Sequence, residues 1–193
     1  ISLREGLQKE AMDGLTLLGR AVCSSYEDMK GDFVQNGNTL KKGDTELTIN
    51  PATLDVYVKD SENEVALSLC YGKRRMLTTL TDNKGVRLTG TDISDEVWDV
   101  VKTGKTYRDT SLKIDGKRYC AVYVPLRDNG QVVGCVFAGQ PTSDMTAYIL
   151  NKVVHMLIVG AGILIFVAVI ALFIARTISV AIKKASASVT RVA

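Results

Sequence analysis

From Leu3 to Met29 the apolar residues fall at Leu3, Leu7, Ala11, Leu15, Leu18, Val22, Tyr26 and Met29. These steps of four and three put them on one face of a helix. Arg4, Glu5, Lys9, Asp13 and Arg20 share the opposite face, so the pattern predicts one long amphipathic helix with a single buried stripe. The Gly/Asn/Lys-rich stretch "GDFVQNGNTLKKGDTELTINP" that follows reads as loop with one short helix or irregular turn.

From Leu54 onward the period drops to two. Strands are predicted over "LDVYVKD", "EVALSLCYG", "RRMLTTLTD", "SLKID", "KRYCAVYVPL" and "QVVGCVFAGQ". Turn-forming dipeptides lie between them, notably Asp115-Gly116 and Asn129-Gly130. One short helix interrupts, "SDEVWDVVKTG", with Ser94 as its N-cap, Val97, Val100 and Val101 on one side and Gly104 ending it. Short connections favour antiparallel pairing, and the predicted class is α+β, with the long helix packed on one face of the sheet.

From Met156 to Ala175 twenty residues pass without a charge, "MLIVGAGILIFVAVIALFIA". A helix of that length is about 30 Å long, enough to cross a bilayer core. The chain's 193 residues carry a formal charge of +3, with every acidic residue before this span and only Arg176, Lys183, Lys184 and Arg191 after it. The positive-inside rule therefore places the tail in the cytoplasm and residues 1–155 outside. An exported domain needs a signal, so an export signal or first membrane helix is expected upstream of Ile1. The tail has no fold of its own, and an output module is expected after it.

The domain outside is close to neutral, which argues against a nucleic-acid partner. The sole histidine, His155, sits at the membrane boundary, and no Ser/His/Asp set, paired carboxylates, phosphate loop or metal-ligand spacing is present. Neither an enzyme nor a cofactor or metal is expected. Cys23, Cys70, Cys120 and Cys135 stand singly in apolar surroundings. With Asn129-Gly130 as a two-residue hairpin turn, Cys135 faces Val124 rather than Cys120, so those two are not bonded. All four cysteines read as free and buried.

Candidate chemistry gathers in "YGKRRMLTTLTDNKGVRLTGT", which holds Lys73, Arg74, Arg75, Lys84 and Arg87. Strict alternation puts Lys73, Arg75, Leu77 and Thr79 on one face and Arg74, Met76, Thr78 and Leu80 on the other. A one-residue change of register exchanges the two sets, so Arg74 and Arg75 both remain open as the inward residue. A guanidinium beside threonine hydroxyls suits a carboxylate, through paired, charge-assisted hydrogen bonds. Arg75 and Thr79, with Lys73, are the candidate anion-binding residues, and Tyr57, Tyr119 and Tyr123 are candidate pocket walls. The same cations also fit a solvated sheet face pairing Asp82, Asp92 and Asp109, and Arg87 fits a structural brace for the turn at Gly85.

The run from Tyr71 to Asp109 and "IDGKRYCAVYVPLRDNGQVVGCVFAGQP" together resemble the single Cache domain, a PAS-like extracytoplasmic sensor module of bacterial methyl-accepting chemotaxis proteins. The resemblance is carried by the basic strand ending in Thr-Thr, Gly85-x-Arg87 before Gly90-Thr91, the helix before Gly104-x-x-Tyr107, Gly116 before Tyr119, and "YVPLRDNGQVVG". It implies a homodimeric receptor that binds a small organic acid, with Arg75 matching the family's arginine before the Thr-Thr pair. On this reading residues 1–30 form the N-terminal helix, 31–141 the Cache domain, 142–155 a juxtamembrane helix, 156–175 the transmembrane helix and 176–193 the start of a HAMP-like linker. The proline common near a HAMP start is absent, with Val180 or Ala181 in its place. A sensor histidine kinase or diguanylate cyclase would share this exterior, and a non-sensing structural membrane protein is a third possibility.

Overall fold

The computed structural model describes residues 3–59, 64–142, 153–172 and 176. It comprises two compact units, Ile1–Met145 and Thr146–Ala193. The predicted long helix is α1 (Leu3–Glu27), and of its stripe Leu15, Val22 and Tyr26 are buried, joined by Met12. Three short strands follow, β1 (Phe33–Asn36), β2 (Thr39–Lys42) and β3 (Thr45–Glu46), paired antiparallel in a small sheet of their own. This stretch was expected to be loop with one short helix or irregular turn; a short 3₁₀ helix does follow at Leu47–Ile49, but the strands before it were not foreseen. The strands are too short for alternation to stand out, and only Phe33, Leu40 and the aliphatic stem of Lys42 turn inward.

The strand expected over "LDVYVKD" is instead a 3₁₀ turn, Thr53–Tyr57. Asn50 starts it: its Oδ1 accepts from the Ala52 N–H at 2.9 Å, and its carbonyl accepts from the Thr53 hydroxyl at 2.7 Å. Only Leu54 is fully buried while Val56 stays exposed, which suits one helical turn on the core rather than a pleated strand.

The main sheet contains β4 (Ala66–Tyr71), β5 (Arg74–Thr78), β6 (Tyr107–Ile114), β7 (Lys117–Asp128) and β8 (Gln131–Pro141), in the antiparallel order β5-β4-β8-β7-β6. Between β5 and β6 lies α2 (Asp95–Val101), whose Ser94 cap accepts from the Val97 N–H as predicted. Leu67, Leu69, Val122, Val136 and Ala138 belong to the core shared with α1. Cys70, Ala121, Tyr123 and Phe137 belong to a second core with Val97 and Val101 of α2. Asp115-Gly116 and Asn129-Gly130 have positive φ at both residues, the conformation two-residue hairpins need.

Two bulges alter the expected registers. One at Leu126/Arg127 sets Cys135 opposite Pro125, not Val124. Another in the β4–β5 pair sets Cys70 opposite Arg75 but Leu69 opposite Leu77, leaving Met76 as the extra residue. Gly134 is required where β8 passes β4, because a Cβ there would lie 2.0 Å from the Cys70 carbonyl oxygen. The second unit contains α3 (Val153–Leu172), long and apolar enough to cross a membrane, with its side chains exposed. It covers residues 156–172 of the expected span 156–175; residues 173–175 of that span, the expected juxtamembrane helix apart from 142 and 153–155, and all of 176–193 but 176 lie outside the described residues.

A buried ion pair ties the small sheet to the main one. Lys42 Nζ donates to Asp128 Oδ1 at 2.7 Å, the Phe33 N–H donates to Asp128 Oδ2 at 2.8 Å, and the ammonium sits 4.2 Å from the Phe33 ring centre. The Lys42 and Asp128 side chains are only 3% and 11% exposed. Burial pushes the Asp128 carboxyl up, but the Lys42 and Phe33 hydrogen bonds outweigh it and hold the group below its ordinary value.

A carboxyl depressed in the folded state contributes stability above its unfolded pKa of about 3.9, and that stability is lost as pH falls through the folded value. Asp128→Asn keeps the Phe33 hydrogen bond but strands a buried ammonium. It is expected to cost about 3 kcal/mol at pH 7, with the gap to wild type narrowing below about pH 4, as read from urea unfolding across pH. In the same assay Gly134→Ala is expected to lose about 2 kcal/mol or more from the backbone clash. Gly14→Ala, with open space around its Cα, is expected to gain about 0.5–1 kcal/mol of helix propensity.

Candidate functional site

On the sheet face turned away from α1, Arg75 of β5 stands opposite Cys70, and Thr78 opposite Ser68. The bulge at Met76 shifts the pleat by one, so Thr78 rather than Thr79 shares the Arg75 face. This corrects the predicted pairing of Arg75 with Thr79: strict alternation could not register an extra residue. Ser68 and Thr78 hydroxyls meet at 2.7 Å in full burial, and the Thr79 hydroxyl is held against the Leu67 backbone.

After β5 the chain doubles back along the outer edge of that strand. Leu88 N–H donates to Leu80 O, Gly90 N–H to Arg75 O, Arg75 N–H to Thr91 O, and Ile93 N–H to Lys73 O, all at 2.8–2.9 Å. Asp82 shapes the turn by accepting from the Lys84 and Val86 N–H groups. Arg87 is the structural brace expected, although its partners lie elsewhere: a fork onto Asp55 at 3.0 and 2.6 Å, and the Thr78 carbonyl at 2.7 Å.

This return loop closes one side of a cleft of about 440 Å³ bordered by Arg75, Thr91, Asp92, Ser94, Ile114 and Tyr123. The volume fits a small metabolite. Arg75 is 5% exposed, and its Nη1 donates to Thr91 Oγ1 at 2.8 Å and, at 3.4 Å, to the Asp92 carbonyl. Its Nε is buried and has no partner among the described residues. None of the described salt bridges includes Arg75. Burying a permanently charged guanidinium is costly unless it is paired, so a group of this kind suits an anionic partner. Tyr123 lies close enough to interact with that charge; burial pushes its hydroxyl well up, against the pull of Arg75, so it stays a neutral O–H.

Two of the six sequence-predicted site residues, Arg75 and Tyr123, thus meet at this cleft. Lys73 does not, since its ammonium pairs with Asp95 on the surface. Asp95 in turn has its carboxyl lowered by that hydrogen bond and charge. Thr79 and Tyr119 line a separate recess with Leu80 and Lys117, and Tyr57 is turned to α1, where its hydroxyl donates to Ser25 Oγ at 3.0 Å. The open choice between adjacent arginines is resolved in favour of Arg75, because the Arg74 Nη2 reaches Asn38 Oδ1 on the small sheet. Sequence reasoning missed Thr91, Asp92 and Ser94. The one signal for them was that Gly90-Thr91 precedes a helix cap, which says where the chain turns but not what it turns toward. Among the described residues no group of three or more His, Cys, Asp or Glu is placed to hold a metal ion.

An antiparallel sheet in this order, covered by a long helix on one face and open to a cleft under a loop and short helix on the other, is the architecture of a PAS-like sensor module. The family profile described as single Cache domain 3 matches residues 45–152, more than half of the chain. The chain belongs to the single Cache domain family. No match was found among curated proteins. The module is extracytoplasmic, in keeping with the charge distribution along the chain, and the apolar helix α3 is consistent with a membrane span.

Proposed function

We propose that this chain is the ligand-sensing portion of a transmembrane chemoreceptor that binds a small organic anion in the Arg75 cleft. The observation that carries this reading is the buried Arg75 guanidinium, fixed by Thr91 and the Asp92 carbonyl yet left with an unpartnered Nε. A carboxylate can take paired hydrogen bonds from such a fork, with the Thr91, Ser94 and Tyr123 hydroxyls as polar neighbours. The module acts by binding, not by turnover. Resemblance to methyl-accepting chemotaxis proteins supports a homodimer in which ligand binding shifts the membrane helix, and a HAMP unit passes the shift to a cytoplasmic signalling module.

The test is isothermal titration and thermal melting of the whole chain in detergent micelles, with acetate, succinate, citrate and free amino acids as probes. A carboxylate present at about 100 times its dissociation constant is expected to add about 2.7 kcal/mol of stability. Arg75→Ala is expected to weaken that carboxylate at least about 100-fold, since it removes a desolvated charged partner. Lys73→Ala should leave the affinity unchanged, because its ammonium is engaged on the surface. The apo melting point of each variant reports whether it folds. Carboxylate affinity that survives Arg75→Ala in a folded protein would overturn the reading, as would the absence of any carboxylate binding.

A further inference from the structure

Cys70 and Cys135 stand directly opposite one another on adjacent antiparallel strands, both fully buried, on the face that carries Arg75. Both are thiols in this structure. Directly opposed residues of an antiparallel pair have Cα atoms about 4.5–5.5 Å apart, inside the range a disulfide spans. The strands are held tightly at this point, since Gly134 leaves no room for a Cβ beside the Cys70 carbonyl. A hydrogen bond to Cys70, followed by burial, pushes the Cys135 thiol well up.

The other two cysteines are placed differently. Cys23 lies on α1 with its thiol directed at the Val124 and Pro125 carbonyls, and Cys120 stands opposite Gln140. Both belong to the core on the α1 face of the sheet. Of the four, only Cys70 and Cys135 are cross-strand partners.

We propose that Cys70 and Cys135 close into a cross-strand disulfide as the domain folds outside the membrane, fastening β4 to β8 beneath the cleft. The oxidant is a disulfide donor, RSSR, of the kind an oxidising exterior supplies. One cysteine thiolate attacks RSSR and releases one RS⁻; the second then attacks the mixed disulfide and releases another. The two S–H protons end on two RSH, so RSSR is reduced by two electrons as the S–S bond forms. Burial suppresses thiolate in the finished fold, so closure belongs to the folding step, while water still reaches the strands.

The whole chain, unfolded and reduced, is refolded into detergent micelles in a glutathione/glutathione disulfide buffer. Free thiols are then alkylated under denaturing conditions, and a non-reducing digest is mapped by mass spectrometry. The expected result is one peptide pair joined through Cys70 and Cys135, a mass about 2 Da below the reduced chain, and alkylated Cys23 and Cys120. The oxidised chain should melt several degrees above the reduced one, and Cys70→Ser should remove that difference. Four alkylated thiols, or a bond to Cys23 or Cys120, would overturn the proposal; the mapping of the wild-type chain stands even if Cys70→Ser fails to fold. Neither outcome depends on ligand, so the anion-binding reading is tested separately.

Discussion

Strand β8 has no solvent face between Gly134 and Gln140. It lies between β4 and β7, sends Val136 and Ala138 into the core under α1, and sends Cys135 and Phe137 into the core under α2. A strand wanted on both sides tolerates no slippage, because a one-residue shift would exchange the two sets of side chains. Phe137 shows how closely this is set: its ring lies 5.1 Å from that of Tyr123 and 6.3 Å from that of Tyr119, edge-on or tilted to each. The arginine, the hydroxyls around it and the paired thiols hold their positions because this strand holds its register.

What the sequence revealed and concealed divides along physical lines. The helix α1 could be read because its stripe repeats over many turns, and β7 and β8 because they are long and joined by Asn129-Gly130, whose chemistry admits one tight turn. The small sheet of residues 33–46 was hidden, since strands of two to four residues leave no period to detect. The turn at 53–57 was misread as a strand because Leu54, Val56 and Val58 alternate on paper, while the Asn50 hydrogen bonds that start a helical turn are not a hydropathy signal. In the site, Arg75 could be singled out by charge and by family resemblance. Its neighbour could not, because the bulge at Met76 changes which threonine accompanies it. Thr91 and Ser94 arrive through a return loop, and periodicity carries nothing about where such a loop goes.

The charges of the domain fall into separate roles. Arg87 and Lys42 are spent on structure, each held by a carboxylate from another part of the chain. Lys73 is met by Asp95 at the surface. Arg75 differs in that its partners are a hydroxyl and a backbone carbonyl, neither of which neutralises it. Reading the basic run as one patch would have merged these roles, and local geometry separates them.

The return loop that borders the cleft also disposes of a hazard common to open sheets. Strand β5 is terminal in the sheet order, and its outer row of backbone groups would invite pairing with a strand from another chain. Residues 88–93 occupy that row themselves, through the amides of Arg75, Gly90 and Ile93. The opposite margin, β6, is defended in another way: it is irregular between Asp109 and Leu112 and carries the exposed charges Arg108 and Lys113, with Asp109 half-buried between them. One segment therefore borders the cleft and keeps the sheet from growing sideways, so substitutions in the loop that weaken its hold on β5 would open a route to aggregation as well as reshape the cleft.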